Sequence, residues 1–370
     1  MSEPLLVIAA GGTGGHMFPA QALAEVMLAR GWRVALASDP RGLRYAGGFP
    51  DAVERLELAS ATFARGGLGA RLAAPFAIAR GALAAYARFR RERPAVVAGF
   101  GGYPALPALA AATAHRLPRL IHEQNGVLGR VNRAFAARVD RVCCGTWPVA
   151  NAPEGAPLVH TGNPVRSAAL ALREAPYRPA TGEERVRLLV FGGSQGASVF
   201  ARVVPEAVAR LPEDVRARLA VAQQVRDGEG EAVDRAYAAA GVEAETAPFF
   251  HDLARRVAEA ALVVSRAGAS TLAELTAIGR PAILVPYPAA ADDHQSANAR
   301  ALVEAGGAEA IAEADLTPER LAAALERLLA TAPDEAAAMA EAARATGRPQ
   351  AGEELADIVE ALSHGAADAR

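Results

Sequence analysis

The chain has 370 residues, 52% hydrophobic and 22% charged, too many for one ordinary core and about right for two α/β domains. That balance excludes intrinsic disorder, and no apolar run approaches the roughly 20 residues of a membrane-spanning helix. The formal charge of −2 hides a segregation: residues 1–163 carry 18 arginines against 10 acids, residues 164–370 carry 21 against 31, and lysine is absent. A basic first half suits an anionic partner: a nucleic acid, a phospholipid surface or a phosphorylated substrate.

Glu3 stands where a signal peptide would be basic, and the apolar segment Leu5 to Ala10 leads into glycines rather than a cleavage site. That segment is a buried-strand candidate running into Gly11-Gly12-Thr13-Gly14-Gly15, with a helix expected from about Pro19 to Arg30 and ended by Gly31. Further strands are expected at Arg33 to Ser38, at Ala95 to Ala98 before Gly99, Gly101 and Gly102, and at Arg119 to His122 before Glu123-Gln124-Asn125-Gly126. Cys143 and Cys144 are adjacent, with neither a disulfide framework nor CxxC spacing, and are read as reduced, buried thiols of a cytoplasmic protein.

After Gly162-Asn163-Pro164 the pattern restarts. Arg187 to Phe191 enters Gly192-Gly193-Ser194-Gln195-Gly196, and strands are expected again at Ala261 to Ser265 and Pro281 to Pro286. Strand–glycine loop–helix repeated in two halves predicts two α/β domains with parallel sheets, 1–163 and 164–349, facing each other across a cleft. Thr317-Pro318-Glu319 reads as a helix start. Leu355, Ile358, Val359 and Leu362 give a last helix, about 350–370, an apolar stripe that needs a surface, which the first domain could supply.

The glycine loops at 11–15, 99–102 and 192–196 let backbone N–H groups approach an anion, and a following helix N-terminus adds partial positive charge. They are equally the tight turns of any strand-to-helix connection. Standard nucleotide fingerprints fail: without lysine there is no P-loop, and Met17 and Ser194 stand where a dinucleotide motif needs glycine. His16 follows the first loop, where a helix N-terminus favours the neutral imidazole and so a base for an attacking hydroxyl. Holding the loop or a phosphate is the alternative role. In Ser265 to Glu274, Ser270 and Thr271 supply hydroxyls and backbone donors where a phosphate could sit, and Glu274 could accept hydrogen bonds from a ribose diol; helix capping is the competing account. Asp292-Asp293-His294 are consecutive and lack a distant partner motif, so no metal site is assigned.

The ordered set Gly11-Gly12-Thr13-Gly14-Gly15-His16, Gly99-Phe100-Gly101-Gly102-Tyr103, His122-Glu123-Gln124-Asn125, Gly162-Asn163-Pro164-Val165-Arg166, Gly192-Gly193-Ser194-Gln195-Gly196-Ala197 and Ser265 to Glu274 closely resembles the MurG family over nearly the full length. These bacterial enzymes transfer N-acetylglucosamine (GlcNAc) to undecaprenyl-pyrophosphoryl-N-acetylmuramoyl-pentapeptide, turning lipid I into lipid II in peptidoglycan synthesis. The resemblance implies a GT-B fold, an acceptor-binding and membrane-associating first domain, and a second domain that binds UDP-GlcNAc. It implies inverting transfer to the muramoyl C4 hydroxyl with no cofactor or metal. It places the enzyme peripherally on the cytoplasmic face of the cell membrane, with cell-wall and division proteins as partners and no nucleic acid.

Carried onto this chain, the family pattern makes His16 the catalytic base. Arg166 and Ser194 would contact UDP, Ser194 at the diphosphate with Ala269, Ser270 and Thr271, and Leu272 and Ala273 would belong to the same UDP-GlcNAc site. Glu274 would hold the ribose, Gln295 the sugar hydroxyls, and Thr13, Gly14, Gly15 and Asn125 would close the sugar pocket. Phe250 stands where relatives usually carry an aliphatic residue whose main chain reads uracil. Gly11, Gly12, Gly101 and Gly102 would cradle the acceptor diphosphate. The basic amphipathic stretch from Arg65 to Arg93, with Leu68, Leu72, Phe76, Ile78, Leu83, Tyr86 and Phe89, would meet anionic lipid; an ordinary helix with its apolar face in the core is the alternative. A UDP-sugar 2-epimerase, a glycolipid galactosyltransferase and a non-catalytic nucleotide-sugar binder remain competing functions.

Overall fold

The computed structural model describes residues 3–12, 14–61, 68–181, 184–193 and 196–368. The chain divides into two compact units, Met1–Ser167 with Pro349–Arg370, and Ala168–Arg348.

The first unit carries a seven-stranded sheet of β1 Leu5–Ala9, β2 Arg33–Ser38, β3 Glu54–Glu57, β4 Val96–Gly99, β5 Arg119–Glu123, β6 Arg141–Cys144 and β7 Leu158–His160, ordered β3-β2-β1-β4-β5-β6-β7. Every pairing is parallel. Alternate side chains of β1 leave on opposite faces. Leu5, Val7 and Ala9 join one apolar cluster with Phe89, Leu109 and Ile121, whereas Leu6, Ile8 and Ala10 join another with Met17, Leu23 and Met27. Both faces are covered, which is why the segment reads as unbroken apolar sequence.

The second unit carries β8 Val186–Phe191, β9 Leu219–Gln224, β10 Glu243–Ala247, β11 Leu262–Ser265, β12 Ala282–Leu284 and β13 Ala308–Ala310, again all parallel, ordered β10-β9-β8-β11-β12-β13. In each sheet the order reverses beside its first strand: β1 lies between β2 and β4, and β8 between β9 and β11. Connections there leave toward opposite faces and open a crevice at the carboxyl ends of the strands, the usual ligand position of such sheets. The glycine loops at 11–15 and 99–102 follow adjacent β1 and β4. The 192–196 loop and the 266–268 turn follow adjacent β8 and β11.

Three local features differ from the sequence reading. The first helix spans Gly14–Ala29 with Pro19 inside it; proline was read as a helix start, but the glycine turn closes straight into helical backbone. The units part after Ser167 rather than near 163. The Arg166 guanidinium lies 4.3 Å from the Phe18 ring centroid and the Ser167 N–H donates to Glu25 at 3.0 Å, tying this segment to the first helix. The strand after Pro281 is only three residues, Ala282–Leu284.

The Thr317 side chain caps helix Pro318–Glu326 by accepting from the Arg320 N–H at 3.2 Å. The last helix, Ala351–Asp368, returns to the first unit. Leu355, Ala356 and Val359 complete the cluster around Met17 and Met27. Arg30 pairs with Glu353, with Asp357 at 2.8 Å and with Glu360 at 2.8 Å, while Trp32 Nε1 donates to Glu360 at 3.3 Å. Cys143 and Cys144 are buried free thiols in β6, and burial pushes both up to about 12.

Candidate active site

In the first unit the two glycine loops meet around His16. A Cβ on Gly101 would stand 3.3 Å from His16 Cε1, and one on Gly102 would stand 2.7 Å from the Gly11 carbonyl oxygen and 3.4 Å from His16 Cδ2. Both glycines have positive φ, 87° and 73°, so contact and backbone conformation each demand glycine. Among the described residues nothing beyond its chain neighbours lies within 4 Å of a Cβ built on Gly12, φ 97°. Gly14, Gly15 and His16 form the first turn of the helix, the end at which the helix dipole favours negative charge. Thr13 lies outside the described residues.

Behind this surface stands a buried polar frame that the sequence reading quoted as a motif but gave no role. Glu123, at the end of β5, accepts through Oε1 from the Asn125 N–H (3.1 Å) and Nδ2 (3.0 Å), and through Oε2 from the Gly129 N–H (2.9 Å) and Asn132 Nδ2 (2.9 Å). A buried carboxylate needs such partners, and these shape the loop that presents Asn125. Gln124 Oε1 lies 2.9 Å from His16 Nδ1. The signal for both was a polar residue ending an apolar central strand.

In the second unit, helix Ala269–Ile278 begins directly after β11, with Gly268 as cap and no acid in its first turn. Ala269, Ser270 and Thr271 form its first turn, where the helix dipole favours negative charge. Leu272 roots this turn in the core, Ala273 is half-buried beside it, and Glu274 is buried at 6% exposure. Gln295 Oε1 accepts from the Ala267 N–H (3.2 Å) and the Tyr287 N–H (2.9 Å), so donation to a ligand falls to its Nε2. Asn298 Nδ2 donates to the Ala267 carbonyl at 3.1 Å. Arg266 is held by the Val285 and Pro286 carbonyls, by Glu313 and by the rings of Phe200 and Tyr287, which makes it a strut of the turn.

Gln224, missed from sequence, gathers the remaining loops. Its Oε1 accepts from the Gly192 N–H and its Nε2 donates to the Gly193 and Pro248 carbonyls, all at 3.0 Å. Ser194 lies outside the described residues. The Phe250 ring is buried beneath Arg256, whose guanidinium lies 4.3 Å from the ring centroid and pairs with Asp252 and Glu245. The larger ring thus packs inward. Arg166 belongs to the first unit. Asp293 precedes helix His294–Glu304 and caps no N–H with its side chain, accepting instead from Ser296 Oγ at 2.7 Å, and His294 Nδ1 lies 2.8 Å from the Ala291 carbonyl.

The basic stretch forms helix Leu68–Arg91. Ala74, Gly81, Ala85 and Phe89 face inward, and a Cβ on Gly81 would sit 2.0 Å from the Ala59 carbonyl oxygen, so close packing fixes this face. Phe76 and Leu83 are 78% and 70% exposed, alongside exposed Arg80, Arg90 and Arg91. Ile78 is half-buried, Tyr86 stacks on His115 at 3.9 Å, and Arg88 pairs with Glu54 and Glu92. Arg65 lies outside the described residues, as do the side chains of Leu68, Arg71 and Leu72. Among the described residues no helix is long and apolar enough to cross a membrane.

Known proteins share this organisation. The family profile "Glycosyltransferase family 28 N-terminal domain" matches residues 6–144, and "Glycosyltransferase family 28 C-terminal domain" matches residues 187–361. A protein of Chelativorans sp. is 51% identical over 99% of this chain and 97% of its own length, and one of Mesorhizobium japonicum is 49% identical over 98% and 96%. Both are called UDP-N-acetylglucosamine--N-acetylmuramyl-(pentapeptide) pyrophosphoryl-undecaprenol N-acetylglucosamine transferase. The crystal structure of Acinetobacter baumannii MurG superposes with a TM-score of 0.76 at 29% identity, covering 96% of this chain and 99% of that one. A Polygonum tinctorium UDP-glucosyltransferase, 12% identical, shares the fold alone, with a TM-score of 0.70 over 97% of this chain and 99% of its own. Two switch-point sheets, a family-28 domain on each, and half of all residues held in common with full-length relatives lead to one conclusion: this chain is a GT-B glycosyltransferase and belongs to the MurG family of N-acetylglucosamine transferases.

Proposed function

We propose that the chain catalyses inverting transfer of GlcNAc from UDP-GlcNAc to the C4 hydroxyl of N-acetylmuramic acid in undecaprenyl-pyrophosphoryl-MurNAc-pentapeptide, converting lipid I to lipid II. The observation that carries this is full-length kinship at 51% identity with a transferase of that name. The geometry supports a division of labour between units. In the second, the first-turn N–H groups of Ala269 to Thr271 receive the UDP diphosphate, buried Glu274 accepts from the ribose hydroxyls and Gln295 Nε2 donates to the sugar. Ser194 and Arg166 add UDP contacts. In the first, His16 is the base, and Gly11, Gly12, Gly101 and Gly102 receive the acceptor diphosphate, with Gly14, Gly15, Thr13 and Asn125 at the sugar.

The muramoyl C4 oxygen forms a bond to the anomeric carbon, the bond from that carbon to the UDP oxygen breaks, and the hydroxyl proton passes to His16. Negative charge accumulates on the departing diphosphate, where preorganised N–H donors stabilise it. The outward face of helix Leu68–Arg91, with Phe76 and Leu83 among arginines, docks on anionic lipid and brings the enzyme to its membrane-borne acceptor.

Transfer of radiolabelled GlcNAc to a lipid I analogue tests the activity. Labelled product that depends on the acceptor, with His16→Ala lowering kcat about 100- to 10,000-fold while UDP affinity stays within about twofold, is the expected result. Conversion of UDP-GlcNAc without acceptor would point to an epimerase instead, and equal loss of affinity and turnover would make His16 structural.

A further inference from the structure

Beneath His16 runs a line of hydrogen bonds whose polarity is fixed from the far end. The Gly162 carbonyl can only accept, so His122 Nε2, 3.0 Å away, carries a proton. His122 is fully buried, and burial depresses it to about 4, so the ring is neutral and its Nδ1 is a bare acceptor. Gln124 Nε2 lies 3.1 Å from that Nδ1, 3.1 Å from the Phe100 carbonyl and 3.0 Å from the His122 carbonyl. Three acceptors around one atom admit only the amide nitrogen; the flipped amide would set its oxygen against two carbonyl oxygens in a buried site. Gln124 Oε1 therefore faces His16 Nδ1 at 2.9 Å and can only accept. The Phe100 ring, stacked on His122 at 5.3 Å, and the glycines 101 and 102 against the His16 ring leave little room for rearrangement.

We infer that Gln124 and His122 are positioning residues that hold His16 as the Nδ1–H tautomer, so that its Nε2 presents the lone pair that removes the acceptor proton. Granting His16 as the base of the proposed transfer, each group has one task. Gly162 sets His122, His122 and Phe100 set the Gln124 amide, and the amide sets which nitrogen of His16 is basic. No group but His16 need change protonation during the reaction. The amide gives the orientation that a carboxylate gives in hydrolase triads, without placing a second charge beside the ring.

Long-range proton–nitrogen NMR of the full-length protein labelled with nitrogen-15 histidine tests this without substrate. At about pH 8, where histidine is neutral, the His16 signals, assigned by their loss in His16→Ala, should show Nδ1 protonated and Nε2 unprotonated. The opposite tautomer in the wild-type protein overturns the inference. Gln124→Met keeps the side-chain length but removes both functions. It should shift His16 toward the Nε2–H tautomer and lower kcat about 10- to 100-fold, with the KM for UDP-GlcNAc within about twofold. In a His16→Ala background the same change should cost less than about twofold, because residues acting through one group are non-additive. An unchanged tautomer in Gln124→Met, or a full further loss in the double variant, overturns the inference. A shifted tautomer with unchanged kcat upholds the positioning and overturns His16 as the base, so the two failures are distinguishable.

Discussion

Gln224 Oε1 accepts the Gly192 N–H at 3.0 Å, so a side chain at the end of β9 sets the turn that leaves β8. The same amide donates to the Gly193 and Pro248 carbonyls, joining three loops through one buried group. Gln224→Leu takes away the partner of the Gly192 N–H and one donor from each carbonyl, while the Gly193 carbonyl keeps the Gly196 N–H at 3.2 Å and Pro248 is exposed, so the cost is about 1–3 kcal/mol in all. The expected outcome is a lower unfolding midpoint in urea and about tenfold weaker UDP binding by calorimetry. Undiminished UDP binding would remove the 192–193 turn from the donor site.

Glu274 is buried in helix Ala269–Ile278, directly after Leu272 and Ala273, which follow the turn proposed to receive the UDP diphosphate. Hydrogen bonds to a charged acceptor contribute about 1.5–3 kcal/mol, so Glu274→Ala should weaken UDP about 10- to 100-fold. The sharper readout compares UDP with 2′-deoxy-UDP. The wild-type protein should prefer the ribose form, and the variant should bind both nearly alike. Retained discrimination would place the ribose elsewhere.

Phe76 and Leu83 contribute little to the core, being 78% and 70% exposed. The double variant Phe76→Ser with Leu83→Ser should therefore keep its stability within about 0.5 kcal/mol, yet co-sediment far less with vesicles containing anionic lipid. Arg80→Ser with Arg90→Ser should lower the dependence on lipid charge, at roughly 1 kcal/mol per cation. Binding indifferent to all four changes would assign the membrane contact to another face.

His122 makes stability depend on pH. Its folded value, about 4, lies below the ordinary histidine value because burial opposes the charged ring. Between about pH 4 and 6.5 the unfolded chain binds the extra proton, so stability is complete above that window and falls as pH drops through it. The loss amounts to roughly 3 kcal/mol. Urea midpoints of wild type and His122→Gln across the window should converge toward acid, because the variant lacks this titration; parallel slopes would contradict it.

Most of the scaffold was readable because its physics is local. Arg33–Ser38 matches its expected strand, and the other strands that were read shift by a residue or two, because an apolar run ended by glycine marks a strand that opens a loop. Thr317 caps its helix for the reason its sequence suggested. The strands β3, β6, β7, β9, β10 and β13 were not read. Glu54–Glu57 is mostly polar at a sheet edge, and Leu158–His160 is too short to show a period. The candidate site was proposed from its glycines and from His16, which the fold brings together at Gly101 and Gly102. The supports Gln124 and Gln224 were not legible, since an amide's role depends on which carbonyls the fold brings to it.

Helix Ala351–Asp368 belongs to a unit whose other residues end at Ser167, with a complete second sheet between them. During synthesis the ribosome must deliver about 180 intervening residues before Leu355 and Val359 can close over Met17 and Met27. The earlier-made half therefore waits, part of its oily flank uncovered, until the later-made half has emerged. A nascent chain stalled before residue 350 should be the form that chaperones and proteases find first.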